Sequence, residues 1–270
     1  MTWIAVFFAQ VVTENAGTVS PETPLWQTRI EYLKTENVIE LRAVETFLWA
    51  PDPTMDFGLS LPIIHRDVEV GAGIEDTIEG IGDASLQWKY SLYKTDDVMK
   101  STRFSLLLGT KFPTGRWRQD AIPRKLQLGT GSFDLTGGLL FTHIDDRHRF
   151  AAEIIGRHNL EADDFQLQPS LRVGLAYWYR ISPARIETAG EETEIRGVIE
   201  VTSVFYGESE LNGGGLNDEG NITWLSPGVQ IYPATWILFE LSVQIPVVQT
   251  VDDALGDRKF SFLVSVKFLF

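Results

Sequence analysis

Hydrophobic and polar residues alternate over the last eleven positions of the chain. One face of this segment is apolar throughout and consists of Phe260, Phe262, Val264, Val266, Phe268 and Phe270. The opposite face carries Ser261, Leu263, Ser265, Lys267 and Leu269. A repeat of two residues is that of a β-strand, because successive side chains point to opposite sides. Residues 260–270 are therefore predicted to form a strand with one wholly apolar face.

The same alternation recurs through most of the sequence and predicts about twelve strands. These are residues 25–34, 37–49, 54–64, 82–93, 102–112, 133–144, 149–159, 167–180, 194–206, 222–232, 236–246 and 260–270. The clearest of them lack the apolar spacing of an amphipathic helix. Strands of soluble domains average about five or six residues, whereas strands that cross a bilayer at a tilt need about 9 to 11. The lengths of the predicted strands therefore favour an all-β membrane protein. We expect residues 25–270 to form a single closed, antiparallel, up-and-down transmembrane β-barrel.

The predicted connections alternate in length. Long segments follow every second strand from the third onward, at residues 65–81, 113–132, 160–166, 207–221 and 247–259. Several connections between them are short, among them 50–53, 145–148 and 233–235. Outer-membrane barrels have short periplasmic turns and longer outer loops, so an even strand count places both termini in the periplasm. The tight link at Thr35-Glu36 and the long segment 181–193 fit this scheme less well.

Aromatic residues lie near many predicted strand ends, namely Trp26, Trp49, Tyr90, Tyr93, Tyr177, Tyr179, Trp236 and Phe268. Membrane barrels carry girdles of such residues at both interfaces. Strands are rich in aromatic residues in general, which leaves a second explanation. We interpret these residues as girdles.

Composition narrows the class of protein. The apolar share is 44% and the mean hydropathy is −0.03. No segment approaches the run of about 18 apolar residues that a transmembrane helix needs, which excludes a helical membrane protein but not a barrel. The chain has no cysteine, so disulfides and thiol chemistry are excluded. The net charge of −14 argues against nucleic acid as a partner.

Residues 1–24 precede the first predicted strand and have two interpretations. Residues 3–12 read WIAVFFAQVV, which resembles the apolar stretch of a signal peptide. No Lys or Arg precedes this stretch, and no clear cleavage site follows it. The segment is either the remnant of a signal peptide or a periplasmic or plug segment.

Charged residues on the polar strand faces are the candidates for lining the lumen. They are Arg29, Glu31, Glu40, Arg42, Lys89, Lys111, Glu153, Arg157, Arg172, Arg196, Glu200, Glu240 and Lys267. A barrel of about twelve strands is too wide for side chains alone to fill easily. So many charges need water or partners, which indicates a wet interior. Two roles stay open: a mixed-charge ladder that orients solute and water, or ion pairs that close and stiffen the lumen.

No residue set has the pattern of a catalytic site. Neither His143 nor His158 is followed two residues later by the Ser that an outer-membrane phospholipase of this size requires. The G-x-S-x-G and H-E-x-x-H motifs are absent, so no enzyme activity, cofactor or metal site is predicted. Paired acids such as Asp163-Asp164 and Asp252-Asp253 are candidates for cations that bridge lipopolysaccharide, although solvated loop charge is the preferred interpretation.

Short glycine-rich motifs between residues 55 and 270 resemble those of a known family. They are Gly80-Ile81-Gly82-Asp83 followed by Lys89-Tyr90, Lys111-Phe112-Pro113-Thr114-Gly115, Gly129-Thr130-Gly131-Ser132-Phe133-Asp134, Pro227-Gly228-Val229-Gln230 and Ile245-Pro246-Val247. Their order and spacing resemble the outer-membrane transporter family named "MetA-pathway of phenol degradation". The resemblance implies a barrel channel for aromatic or other poorly soluble small molecules. The C-terminal Phe270 resembles the terminal aromatic residue that the barrel-assembly machinery recognises.

The expected function is therefore passive uptake or export of small solutes through the bacterial outer membrane. The expected partners are outer-membrane lipid, lipopolysaccharide, the barrel-assembly machinery and a small-molecule solute. One alternative is a structural or adhesive outer-membrane barrel with an occluded lumen. Another is a soluble β-sandwich binding module, with its strands packed as two sheets. Against the sandwich, the apolar face of residues 260–270 would be an aggregation hazard in water.

Overall fold

The computed structural model describes residues 12–14, 16–70, 74–118, 122–186, 192–251 and 256–270. The strands are β1 (Leu25–Thr35), β2 (Val38–Asp52), β3 (Met55–Val70), β4 (Ile74–Ile81), β5 (Ser85–Asp97), β6 (Lys100–Lys111), β7 (Asp134–Asp145), β8 (His148–Asn159), β9 (Phe165–Gln166), β10 (Ser170–Ser182), β11 (Glu194–Tyr206), β12 (Glu210–Leu211), β13 (Gly214–Gly215), β14 (Gly220–Ala234), β15 (Ile237–Gln249) and β16 (Arg258–Leu269). A short 3-10 helix spans Arg124–Leu126. No helix in these ranges is long and apolar enough to cross a membrane.

Twelve long strands form a closed antiparallel barrel. The first strand, β1, is hydrogen-bonded to β2 on one side and to the last strand, β16, on the other. The remaining long strands pair with their neighbours in chain order, while β9, β12 and β13 form a small separate sheet. The predicted up-and-down barrel is confirmed. Because the sheet closes on itself, the strands do not pack as the two sheets of a β-sandwich.

The two ends of the barrel differ in their connections. We call the end that carries Leu25 and Phe270 the terminal rim, and its short turns are at residues 53–54, 98–99, 146–147 and 235–236. The opposite end, the loop rim, carries the long connections 112–133, 160–169, 207–219 and 250–257. The observed connections therefore alternate as predicted. The exceptions are the tight link at 36–37, on the loop rim, and the longer connection 183–193, on the terminal rim.

The predicted loop at residues 65–81 is wrong. Here β3 continues to Val70, and β4 pairs with it in antiparallel fashion. Alternation is present, since Val68 and Ile78 are buried on the inner face, but the outer face carries the exposed polar side chains of His65, Glu69 and Glu79. A charged outer face does not suit hydrocarbon. The hairpin therefore projects beyond the apolar band of the barrel, and its polar outer face hid the strand pattern in the sequence.

The barrel is polar inside and apolar outside, the reverse of a soluble domain. Exposed apolar residues encircle the exterior, among them Leu41, Leu61, Leu108, Ile154, Leu175, Ile199, Leu241 and Val264. Buried charged residues occupy the interior, among them Glu40, Asp56, Arg149, Glu153, Glu200, Glu240 and Lys267. Burial of charge requires partners or water, and exposure of such a band requires an apolar solvent. The chain folds in this way because each strand places its apolar residues on every second position.

Most of the predicted girdle residues lie around the terminal rim. Trp236 stacks on Phe268 with ring centroids 6.5 Å apart, and Trp49 stacks on Phe57 at 6.0 Å. Trp26 is 42% exposed and its indole N–H donates to Glu45. An aromatic side chain with one polar end suits a boundary between apolar and aqueous phases. The terminal rim thus has the chemistry of an interface, and a girdle role for these residues stays a prediction.

Candidate functional site: the barrel lumen

Ion pairs join many of the charged side chains inside the barrel. Glu40 lies between Arg42 and Arg66, with Arg42 Nη2 2.6 Å from Glu40 Oε1. Lys267 Nζ is 2.9 Å from Glu240 Oε2, and both side chains are almost fully buried. Pairs of this kind remove the cost of leaving one charge alone in a poorly hydrated place. They favour the interpretation in which inward charges stiffen the wall.

The predicted lumen residues divide into two groups. Those in ion pairs are Glu40, Arg42, Lys89, Lys111, Glu153, Arg172, Arg196, Glu240 and Lys267. Those for which the described part of the chain supplies no ion pair are Arg29, Glu31, Arg157 and Glu200. Contact of any of these residues with a solute stays a prediction.

Inward arginines lie near both rims: Arg103, Arg149 and Arg196 lie near the terminal rim, and a second group lies near the loop rim. Arg157 and Arg172 lie close to the loop-rim ends of β8 and β10, and the charges of Arg172 and Arg42 act on Arg157. The Arg157 side chain is exposed to solvent. The Nε atoms of Arg29 and Arg42 are buried and have no hydrogen-bond partner among the described residues. This half of the lumen can therefore hold an anion or the face of an aromatic ring.

The N-terminal residues 12–14 and 16–19 lie against inward side chains of the wall. The backbone N–H of Glu14 donates to Glu153 Oε2 at 2.5 Å, and that of Ala16 donates to Thr142 Oγ1 at 3.0 Å. Further along, the N–H of Val19 donates to Asp56 Oδ2 at 3.2 Å. Residues 1–11 and Asn15, which belong to the predicted N-terminal segment, lie outside the described residues. Of that segment, residues 12–14 and 16–19 are therefore inside the barrel.

The long connection 112–133 covers one side of the loop rim. Its apolar residues Ile122, Leu126 and Leu128 pack on the inner face of the β2–β3–β4 wall, where they meet Val38, Ile64, Val68 and Ile78. Arg66 adds a hydrogen bond from its guanidinium to the Leu126 carbonyl. Lys125 pairs with Asp218, and Arg118 with Asp163 at 2.7 Å, so the connection is also tied to its neighbours. These contacts narrow the entrance at the loop rim.

Three of the glycine-rich motifs converge at one point of the wall. Asp83 accepts hydrogen bonds from the N–H groups of Gly115 at 2.9 Å and Thr130 at 2.8 Å. Lys111 Nζ lies 3.1 Å from Asp83 Oδ2 and also pairs with Asp134. A Cβ on Gly129 would lie 2.6 Å from Asp83 Oδ1, so no larger residue fits there without a shift. These three motifs therefore have a structural role: they attach the connection 112–133 to the barrel wall.

Two of the histidines make hydrogen bonds to a side chain of a neighbouring strand. His143 Nδ1 is 2.8 Å from Thr102 Oγ1, and His148 Nδ1 is 2.8 Å from the Tyr177 hydroxyl. Within the described residues no group of three or more His, Asp or Glu has the geometry of a metal site. Of the paired acids, Asp163 pairs with Arg118, whereas Asp252-Asp253 lies outside the described residues.

Sequence reasoning missed several wall residues that contact the N-terminal segment: Asp56, Ser105 and Thr142. They were missed because a lone inward Ser, Thr or Asp in a strand does not differ from a solvent-facing one. The one feature of the sequence that could have identified them is their position on the inner face of a predicted strand.

The barrel is similar to solved structures of outer-membrane proteins. An outer membrane channel from Pseudomonas putida F1 matches with a TM-score of 0.78 at 12% identity, over 97% of this chain and all of that one. The beta domain of the Bordetella autotransporter BrkA matches with a TM-score of 0.53 at 13% identity, over 95% of this chain and all of that one. No protein-family model matches, and no curated sequence is significantly similar. At these identities the similarity shows the fold, that of outer-membrane β-barrels.

Three of the five motifs that resemble the phenol-degradation family lie together around Asp83. Since no family model matches, that resemblance stays a prediction.

Proposed function

We propose that this protein is a bacterial outer-membrane channel through which small solutes pass passively. The observation that carries the proposal is the closed barrel with an apolar exterior and a charged interior. An interior of this kind is typical of barrels that hold water, because charges without hydration or partners are costly. The similarity to the channel of Pseudomonas putida F1 supports the proposal.

In this proposal the terminal rim faces the periplasm and the loop rim faces outward. Short turns belong to the periplasmic side of such barrels and long loops to the outer side. Phe270 is 64% exposed at the terminal rim, where the barrel-assembly machinery can reach it. The hairpin of β3 and β4 and the loops would contact lipopolysaccharide.

The proposed solutes are small aromatic or otherwise poorly soluble molecules. Beyond the family resemblance, the arginines near the loop rim support this class, since a guanidinium stacks on an aromatic face and pairs with a carboxylate. Arg157 is the arginine best placed for such contacts, because its side chain is exposed and Arg172 lies near it on the neighbouring strand β10.

A second candidate is a structural or adhesive barrel with an occluded lumen. Two observations favour it: the connection 112–133 covers part of the loop rim, and N-terminal residues lie inside the barrel. No enzymatic activity is proposed for either candidate.

Liposome swelling separates the two candidates. Purified protein is reconstituted into liposomes that are diluted into isotonic arabinose or sodium benzoate, beside empty liposomes and liposomes that carry heat-unfolded protein. A channel gives swelling above both controls with at least one solute. Swelling at the level of empty liposomes with both solutes would favour the occluded barrel and count against transport.

A further inference from the structure

The short 3-10 helix Arg124–Leu126 belongs to a stretch at the mouth of the loop rim, residues 122–128, which we call the strap. The buried apolar side chains of the strap pack on the inner face of β2, β3 and β4. From β3, the Arg66 guanidinium donates to the carbonyls of Leu126 and Gln127, the latter at 3.3 Å. One side of the strap is therefore attached to this part of the wall.

Neighbouring residues of the strap contact the opposite side of the mouth. Lys125 pairs with Asp218, which lies in the connection between β11 and β14. Arg124 Nη2 donates to the Ala162 carbonyl at 2.8 Å, in the connection between β8 and β10. Around the barrel, three strands separate these connections from β2 and β3 in either direction: β5, β6 and β7 one way, and β15, β16 and β1 the other. The strap thus spans the mouth from one side to the other.

The unit that the strap reaches on the far side is itself well connected. β9 pairs with β12, and β12 with β13, and we call these three strands the outer sheet. Ser209 joins its parts, because the hydroxyl donates to the Gln168 side chain and the backbone N–H donates to Asp218 Oδ1 at 2.7 Å. Ser209 thus holds one oxygen of Asp218, and the other oxygen, Oδ2, faces Lys125. The pair of Lys125 and Asp218 joins two units that are fixed to different sides of the barrel.

The two attachments of the strap differ in their chemistry. The wall side is an apolar cluster, which loses the stabilisation of burial if it separates. The far side depends on two cations, Lys125 and Arg124, and the Arg124 guanidinium also lies 5.4 Å from the ring centroid of Phe165 in β9. Charged groups that separate exchange their protein partners for water, so the net cost is smaller. The attachment to the outer sheet is therefore the one that opens first.

We propose that the strap is a gate at the loop-rim mouth of the channel and that the pair of Lys125 and Asp218 is its latch. With the latch closed, the strap divides the mouth, and solute passes only beside it. With the latch released, the strap stays on the wall of β2, β3 and β4 and uncovers the lumen. The inference rests on the proposed channel function, because it assigns control of the entrance to the strap.

Planar-bilayer recordings of the full chain and of two matched variants test the gate. Asp218→Asn keeps an oxygen for the Ser209 N–H but sets an amide N–H group against Lys125, so the latch is lost. Its single-channel conductance is expected to rise at least about twofold, because the open cross-section of the mouth grows. Glu219→Gln removes an equal charge from the next residue, which is exposed, and should match the full chain.

A covalent lock tests the same movement without a change of charge during the recording. The chain has no cysteine, so the double variant Lys125→Cys, Asp218→Cys carries the only two thiols. A short bis-methanethiosulfonate reagent cross-links them, and dithiothreitol cleaves the link. The cross-linked channel should conduct no more than the full chain, and reduction should raise its conductance at least about twofold. Lys125→Cys alone, treated with the same reagents, should show no rise on reduction.

The outcomes separate the gate from the channel. Equal conductance of the full chain, of Asp218→Asn and of the double variant before and after reduction would overturn the gate and leave the channel intact. A raised conductance in Asp218→Asn with no effect of reduction in the double variant would assign the change to charge and overturn the latch. Absence of current in every variant would overturn the channel and the gate together. Heat-modifiable migration of each variant on a denaturing gel shows that its barrel has folded.

Discussion

Asp83 accepts a hydrogen bond from the backbone N–H of Gly115 at 2.9 Å. The same carboxylate accepts the N–H of Thr130 and lies 3.1 Å from Lys111 Nζ. Gly115 and Thr130 stand near the two ends of the connection 112–133. One buried acid, placed where β4 ends and β5 begins, therefore holds both ends of the connection against the wall.

Replacement of this acid is expected to loosen the connection. Asp83→Ala should lower the free energy of unfolding by about 1.5–3 kcal/mol, the usual loss for hydrogen bonds to a charged group. Urea unfolding in lipid vesicles, followed by tryptophan fluorescence, measures the change. The matched control is Asp145→Ala, which removes an exposed partner of Lys100 and should cost less than about 1 kcal/mol. Equal losses in the two variants would contradict the role assigned to Asp83.

The buried pair of Glu240 and Lys267 should matter more than any surface pair. Glu240→Ala takes away the carboxylate that lies 2.9 Å from Lys267 and also bonds Gln230, so we expect a loss of about 3–5 kcal/mol. The double variant Glu240→Gln, Lys267→Met should recover much of it. Asp145→Asn, in the exposed pair with Lys100, is the control and should cost below about 1 kcal/mol. The same urea titration tests all three, and a small effect of Glu240→Ala would show that water already hydrates this site.

The arginines near the loop rim should set ion selectivity. Arg157→Gln removes an exposed positive charge that lies near Arg172, so the cation-to-anion permeability ratio should rise. Reversal potentials in a potassium chloride gradient give this ratio. Arg185→Gln removes an equal charge from an exposed position in the connection 183–193 and should leave the ratio unchanged. If both variants behave alike, Arg157 does not face the permeation path.

The apolar band of the exterior should tolerate charge poorly, and the projecting hairpin should tolerate it well. Leu175 is 60% exposed on the outer face in the middle of β10. Leu175→Arg should therefore cost about 2–4 kcal/mol in a bilayer, whereas Thr77→Arg on β4 should cost about 0–1 kcal/mol. Unfolding in vesicles compares them. A similar cost at both positions would place the hairpin of β3 and β4 within the hydrocarbon.

The barrel could be predicted from the sequence because a membrane imposes a strict pattern on each strand. Residues 260–270 show this most clearly: each outward position is apolar, and β16 has the predicted alternation. The strand continuation through His65 and Glu79 was not predictable in the same way. Beyond the apolar band the outer face of a strand can be polar, so the apolar outward positions that mark the membrane-spanning strands are missing there.

The lumen was only partly predictable. Inward charges such as Glu153 and Glu200 stand out because they alternate with apolar residues. Their contacts with Glu14 and Thr13 could not be inferred, since these contacts involve backbone groups, which every residue has. The approach of Asp83 to Gly115 likewise depends on how a long connection folds back, and no local pattern encodes that.

The conductance of the intact protein is the most direct test of whether this barrel is an open channel. The purified chain is added to one side of a planar lipid bilayer in about 1 M potassium chloride, where surface charges are largely screened. Heat-unfolded protein is the control. A passive channel gives stepwise, uniform increases in current as single barrels insert. Insertion shown by heat-modifiable protein in the bilayer lipid, without any current step, would contradict the proposed channel.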